Sequence, residues 1–164
     1  MQSSDIPVFV IVTADNCGHC RNFKEKQWPF LKQKLQNDGR VKIIEIPLPT
    51  MGTIPGEEYH SDLVKYIGWY PTFLLFNGST WNNKMTILKG LIYSGEIVNG
   101  KPTYRNGESG DADSIYKWVI SRLQDPVITS LDQSYVTKSS NINTGETKLI
   151  PTVGKSYPYR QRII

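Results

Sequence analysis

The sequence predicts an α/β domain followed by an extended polar C-terminal tail. Short apolar runs rich in β-branched residues, typical of buried strands, alternate with longer segments that have helical spacing. The chain has 164 residues, 38% of them hydrophobic and 21% charged, which is enough for one buried core. After Asp125-Pro126 the apolar spacing is lost, and Ser, Thr and Asn become frequent. The predicted domain therefore spans residues 1–125, and residues 126–164 form the tail.

Strand and helix signals alternate along the predicted domain. The predicted strands are Pro7–Thr13, Val41–Ile46, Thr72–Phe76 and Lys101–Arg105. Helical spacing runs from Cys17 to about Gln36, over Glu57–Tyr66 and over Asp111–Leu123. Pro29 lies inside the first helical segment and should kink or break it. Residues 79–100 alternate weakly and contain several glycines, so they are predicted to form an inserted β-hairpin.

Charge and hydropathy exclude several classes of partner. The net charge is +4, and Lys and Arg are interspersed with Asp and Glu rather than gathered in a basic stripe, so we do not expect nucleic acid as a partner. No apolar stretch is long enough for a membrane span. The run Val8–Val12 is too short for the core of a signal peptide, and the chain ends without an endoplasmic-reticulum retention signal. These features predict a protein made in a reducing compartment.

The chain has two cysteines, Cys17 and Cys20, with two residues between them. No further pair exists to build a disulfide framework, so the two thiols are predicted to be reactive. The order strand, turn, Cys-x-x-Cys, helix places Cys17 at a helix start. Unpaired backbone N–H groups and the positive end of the helix dipole favour a thiolate there. Gly18 permits a tight backbone, and a charged His19 adds to the stabilisation of the thiolate.

Two structural interpretations of the cysteine pair compete with the redox one. A structural zinc site needs four ligands, and only His19 and His60 remain to complete the set, so we expect no metal. The other alternative is a disulfide without redox activity in a scaffold protein. His60 is expected to be a helix-start or surface residue.

Two motifs carry a resemblance to a known family. The Cys-Gly-His-Cys motif at 17–20 matches the active-site motif of protein disulfide isomerases, and Gly-Trp-Tyr-Pro-Thr at 68–72 resembles the cis-proline strand of that family. The chain thus resembles a thioredoxin-like domain of the isomerase type from about residue 7 to residue 124. The resemblance implies a central four-stranded mixed sheet flanked by helices. It also implies that Pro71 is cis and lies opposite the cysteines, and that the backbone of Tyr70 pairs with an extended substrate chain.

Trp69 and Tyr70 are expected to form a partly exposed rim beside the cysteines. The chain departs from the family at two positions. The family usually has Trp directly before the first cysteine, and this chain has Asn16. The family also keeps a buried acid on the preceding strand that assists proton transfer from the second cysteine, and Ile11 stands near that place. The resemblance therefore implies that deprotonation of Cys20 is slow or needs water.

The expected function is a thiol–disulfide oxidoreductase of the oxidase or isomerase kind that acts on protein thiols without a cofactor. A mixed disulfide forms with the substrate, and Cys20 resolves it. The alternative is a structural component of a larger assembly, such as a minor capsid protein, with activity secondary or absent. A leaderless chain with this motif resembles the thioredoxin-like proteins of large DNA viruses, which implies the cytoplasm or the virion as its location.

The tail is expected to dock on a protein partner or on the domain itself. Ordering such a chain costs roughly 1–2 kcal/mol per residue in backbone entropy, which scattered apolar side chains cannot offset without a surface to bury them. The candidate anchors are Leu131, Tyr135, Ile142, Leu149, Tyr157 and Tyr159.

Overall fold

Six strands and six helical segments make up the computed structural model, which describes residues 5–105 and 107–130. The strands are β1 (Val8–Ala14), β2 (Lys42–Leu48), β3 (Thr72–Phe76), β4 (Gly90–Ile92), β5 (Gly95–Val98) and β6 (Lys101–Tyr104). The helices are α1 (Gly18–Lys26), α2 (Trp28–Asp38), α3 (Gly78–Asn82), α4 (Ala112–Arg122) and α5 (Pro126–Thr129), with a 3₁₀ helix at Ser61–Tyr66.

The strands form one mixed sheet in the order β2-β1-β3-β4-β5-β6. β1 and β2 are parallel, and every other neighbouring pair is antiparallel. The predicted thioredoxin-like α/β class is confirmed, because β2-β1-β3-β4 with its flanking helices has that arrangement. The sheet has six strands rather than the four expected, since β5 and β6 extend it as a hairpin at the β4 edge.

Helices cover both faces of the central strands. All seven residues of β1 are buried, and successive side chains alternate between two core clusters. Phe9 and Ile11 pack with side chains of α1, α2 and α4, whereas Val8 and Val10 pack with side chains of the 3₁₀ helix. Burial on both faces explains why this strand is a continuous apolar run in the sequence.

The long helix predicted from Cys17 to about Gln36 is two helices. α1 ends and α2 begins around Gln27, and Pro29 lies in the first turn of α2, where its missing N–H breaks no hydrogen bond. The side chain of Gln27 accepts a hydrogen bond from the backbone N–H of Ala112, at 2.9 Å. This hydrogen bond connects the junction between α1 and α2 to the first residue of α4.

The segment 79–100, predicted as an inserted hairpin, holds most of α3 and then β4 and β5, which pair antiparallel as a short hairpin with Ile92 opposite Gly95. β5 also forms a second hairpin with β6, so the predicted strand Lys101–Arg105 is the second arm of this hairpin. Its turn contains Asn99 and Gly100, both with positive φ (53° and 77°), as a two-residue type I′ turn requires. The helix predicted over Glu57–Tyr66 is shortened to the 3₁₀ helix.

The folded unit extends past the predicted boundary at residue 125. Ile128 of α5 is 2% exposed and belongs to the core cluster that contains Phe9 and Ile115. The side-chain amide of Asn77 donates to the carbonyl oxygens of Val127 and Ser130. Residues 126–130 therefore belong to the domain rather than to the tail. The remaining tail and all six candidate anchors lie outside the described residues. In 5–105 and 107–130, none of the helices has the length and apolar character that crossing a bilayer requires.

Candidate active site

Cys17 lies where β1 turns into α1, as the order of elements predicted. It is the N-cap of α1, with extended backbone angles, and its Sγ accepts a hydrogen bond from the backbone N–H of Cys20 at 3.1 Å. A sulfur in this position faces unpaired N–H groups of the first helical turn and the positive end of the helix dipole. The local backbone therefore favours negative charge on Cys17.

Cys20 lies in the first turn of α1, directly behind Cys17. Both cysteines are free thiols, with Cys17 4% exposed and Cys20 1% exposed. Burial raises the pKa of the Cys20 thiol to about 12, and its hydrogen bond with Cys17 acts in the same direction. Cys20 thus keeps its proton at neutral pH. The two thiols are chemically unequal, as expected for an attacking thiol and a resolving thiol.

The segment before β3 faces the cysteines. The Tyr70–Pro71 peptide bond is cis, as the resemblance implied. The Cys17 thiol donates a weak hydrogen bond to the backbone carbonyl of Tyr70, with 3.8 Å between sulfur and oxygen. The Tyr70 side chain also packs against a small cluster formed by Ala14, Cys17 and Cys20. The described structure thus brings Tyr70 into contact with the cysteine pair, and cis Pro71 follows it directly in the chain.

Asn16 ties the cysteine turn to a loop that the sequence did not indicate as part of the site. Its side-chain oxygen accepts a hydrogen bond from the backbone N–H of Met51, at 2.9 Å. The Tyr70 hydroxyl accepts a second one from the backbone N–H of Gly52, also at 2.9 Å. The loop after β2 is therefore hydrogen-bonded both to Asn16, beside Cys17, and to Tyr70, before the cis proline. Asn16 fixes this loop in the place where the family usually has Trp.

No acid replaces Ile11 on β1. Ile11 is 2% exposed in the core cluster with Phe73, and its register partner on β2 is Glu45. The Glu45 carboxylate accepts hydrogen bonds from Trp28 Nε1 at 3.2 Å and from Lys32 Nζ at 3.1 Å. Because this carboxylate has two donors of its own at the protein surface, it differs from the buried acid of the family. The expectation of slow Cys20 deprotonation stays a prediction.

His60 is separate from this arrangement. It caps the 3₁₀ helix, as its expected place at a helix start implied, but it is 4% exposed rather than on the surface. Its Nδ1 accepts the backbone N–H of Asp62 at 3.0 Å, and its Nε2 lies 2.7 Å from the carbonyl of Thr86. Both ring nitrogens are thus used structurally. Among the described residues, no group of three or more His, Cys, Asp and Glu side chains is placed to hold a metal ion.

A groove of about 450 Å³ opens beside the cysteine turn. His19, Tyr70 and Pro71 are among its lining residues, and His19 is exposed. Trp69, half-buried, also forms part of its wall. Trp69 and Tyr70 thus line one groove, and their role as a rim for a substrate stays a prediction.

The inequality of the two thiols leads to a prediction about alkylation. Cys17 in the Cys20→Ser variant should react with iodoacetamide at neutral pH at least about ten times faster than Cys20 in the Cys17→Ser variant, because a buried thiol with a raised pKa supplies little thiolate. Rates measured against pH by mass spectrometry, with each fold checked by circular dichroism, test this. Equal rates would contradict the assignment of Cys17 as the nucleophile.

Comparison with models of known protein families gave no match, nor did comparison with curated proteins. Among solved structures, the chain is similar to the Trx4 domain of ERdj5, with 17% identity and a TM-score of 0.44, over 73% of this chain and 82% of that one. It is also similar to the J-Trx1 fragment of ERdj5, with 16% identity and a TM-score of 0.43, over 78% and 46% of the two chains. A third is human ERp44 in its zinc-bound form, with 16% identity and a TM-score of 0.40, over 75% and 28%.

Proposed function

We propose that this chain is a thiol–disulfide oxidoreductase that acts on protein thiols through Cys17 and Cys20. The observation that carries the proposal is the hydrogen bond from the Cys20 N–H to the Sγ of Cys17, at 3.1 Å, at the N-terminus of α1. Such a donor stabilises a thiolate on Cys17 in the free enzyme, and it does so again each time Cys17 leaves a mixed disulfide.

The reaction runs in two exchange steps. In isomerisation, the Cys17 thiolate attacks a substrate disulfide, forms a mixed disulfide and releases one substrate thiolate. A different substrate thiolate then attacks the mixed disulfide and regenerates Cys17, so no net oxidation occurs. In oxidation, the Cys17–Cys20 disulfide takes two electrons from a substrate dithiol, and a low-molecular-weight disulfide such as oxidised glutathione restores it.

Recovery of a scrambled model protein tests this proposal. We expect the wild-type chain to accelerate reactivation of scrambled ribonuclease in a glutathione buffer, and Cys17→Ser to abolish the acceleration while keeping the same circular dichroism spectrum. If wild-type protein and Cys17→Ser act alike, the cysteine pair has no role in thiol exchange and the proposal is wrong.

The second candidate is a module without redox activity in a larger assembly, such as a virion. The observation in its favour is that both thiols are nearly buried, at 4% and 1% exposure. Docking of the tail on a protein partner, and the cytoplasm or virion as location, belong to this candidate as proposals. A wild-type chain that is folded but inactive in the reactivation assay would favour it.

His19 gives a prediction about the reduction potential. The residue is exposed in the first turn of α1, two positions after Cys17, and its positive charge, when protonated, favours the Cys17 thiolate. We expect His19→Pro to lower the reduction potential by tens of millivolts, since about 30 mV corresponds to 1.4 kcal/mol for this couple. His19→Gln is the matched variant that removes the charge without proline. An unchanged potential in both variants would show that His19 does not tune the pair.

A further inference from the structure

Three kinds of side chain line the groove beside the cysteines. His19 and Pro71 lie next to the cysteine pair in sequence or in space, Trp69, Tyr93 and Tyr104 are aromatic, and Glu108 and Asp111 carry carboxylates. The groove also follows α1 from His19 to Gln27, and Gln27 accepts a hydrogen bond from the backbone of Ala112, the neighbour of Asp111, so the carboxylate of Asp111 lies at the end of the groove away from Cys17. A substrate chain that reacts at Cys17 and enters this groove therefore meets aromatic rings and negative charge.

The hairpin of β5 and β6 builds the aromatic wall. A Cβ atom added to Gly95 would lie 2.5 Å from Cη2 of Trp69, so β5 is packed directly onto that indole. The ring of Tyr104, at the end of β6, meets Trp69 edge to face, with centroids 5.3 Å apart at 89°. Tyr104 remains 55% exposed, and the groove lies against both rings. The two strands beyond the central four thus add aromatic surface next to Pro71.

The carboxylates of Glu108 and Asp111 form no close ion pair within the described part of the chain, and only the more distant charge of Lys117 helps to lower the pKa of Asp111. Asp111 caps α4, and hydrogen bonds from the backbone and side chain of Ser114 lower the pKa of its carboxyl, so it is ionised at neutral pH. Within residues 5–105 and 107–130, neither Glu108 nor Asp111 has a Lys, Arg or His nitrogen within 4.0 Å. The pKa of buried Tyr93, also in the groove wall, is raised to about 12, first by burial and then by these two charges.

We infer that the groove accepts a lysine or arginine side chain of the substrate polypeptide, so that the preferred substrates carry a basic residue within a few positions of the reacting cysteine. The inference rests on the proposed function. A guanidinium or ammonium group is attracted to the faces of Trp and Tyr and to carboxylates, and its aliphatic stem packs on the indole. An acidic side chain would meet like charge, and a neutral one would leave the two carboxylates without a cation beside them, although Asp111 keeps its hydrogen bonds from Ser109 and Ser114.

Three glutathionylated peptides test the inference on the full chain. They are identical except for one position, two residues from the reacting cysteine, which is Arg, Gln or Glu. We expect the rate constant for reaction with the reduced protein to fall in the order Arg, Gln, Glu, with about a three- to tenfold difference between the first and the last. The difference should shrink as salt rises, because exposed charges are screened.

Matched variants locate the effect. Glu108→Gln and Tyr104→Ala should each lower the ratio of the rate constant for the Arg peptide to that for the Gln peptide by about two- to fivefold. Glu57→Gln, which removes the same charge beside a different cavity, should leave this ratio unchanged. Equal rates for the three peptides would overturn the inference. This holds also if the cause is that basic residues of the chain's own segment 131–164 occupy the groove in place of the substrate. If the Gln peptide also fails to react, the proposed function falls with it.

Discussion

Cys20→Ser should turn a short-lived mixed disulfide on Cys17 into one that accumulates. Cys20 is the chain's only other cysteine, and it is held in contact with Cys17 by the first turn of α1. An intramolecular thiol at that position acts at a high effective concentration, so replacing its sulfur with oxygen should slow release of the substrate by on the order of 100-fold or more. The adduct is measured on non-reducing gels and by mass spectrometry after acid quenching.

Cys17→Ser is the matched control for this trap. It leaves Cys20, which is buried and protonated at neutral pH, so little adduct should form. Equal amounts of adduct on the two single variants, or as much on the wild-type chain as on Cys20→Ser, would contradict the assignment of attacking and resolving thiols.

A chain that ends after Gln124 should be strongly destabilised. The shortened chain lacks Ile128, which is 2% exposed in the core. It also lacks the two carbonyl groups that accept hydrogen bonds from the buried side-chain amide of Asn77. Burial of an isoleucine contributes about 1.5–3 kcal/mol, and a buried donor left unsatisfied costs about 1–3 kcal/mol. The expected loss is therefore about 2.5–6 kcal/mol, a large part of the 5–15 kcal/mol typical of a folded domain.

A chain that ends after Ser130 is the control, because it keeps every contact that the described residues make with α5. Urea unfolding followed by tryptophan fluorescence compares the two chains, and Ile128→Ala in the full chain should cost about 2–5 kcal/mol. If the chain that ends after Gln124 unfolds at the same urea concentration as the chain that ends after Ser130, α5 is not part of the core.

The elements of the fold that could be predicted are those determined by residues that are close together in the sequence. β1 and β3 are buried on both faces, and their continuous apolar runs reflect that burial directly. The place of Cys17 at the helix start follows from the order of strand, turn and helix. These elements could be assigned because neighbouring residues determine them.

The parts that were missed depend on contacts distant in sequence or on signals with two meanings. Asn77-Gly78 has the form of a turn, yet the Asn77 side chain accepts from the N–H groups of Ser79 and Thr80 and so starts α3. Asp125-Pro126 predicts the end of the domain, yet Asp125 is the N-cap and Pro126 the first residue of α5. β4 has only three residues, too few for a periodic pattern.

In the groove, too, only those residues could be predicted that are neighbours of a motif in the sequence. Trp69 and Tyr70 were expected beside the cysteines because they precede Pro71 directly. Glu108 and Asp111, which lie between β6 and α4 or at the start of α4, line the same groove only through the tertiary fold. No spacing in the sequence indicates that arrangement.

The most direct test of the account is the reduction potential of the wild-type Cys17–Cys20 pair. Equilibration with glutathione buffers of graded ratio, acid quenching and mass spectrometry give the fraction of disulfide at each ratio. With His19 rather than proline between the cysteines, we expect a single two-electron transition well above the value of about −270 mV of thioredoxin and toward the value of about −180 mV of protein disulfide isomerase. A potential at or below that of thioredoxin, or a pair that never forms a disulfide, would contradict the account.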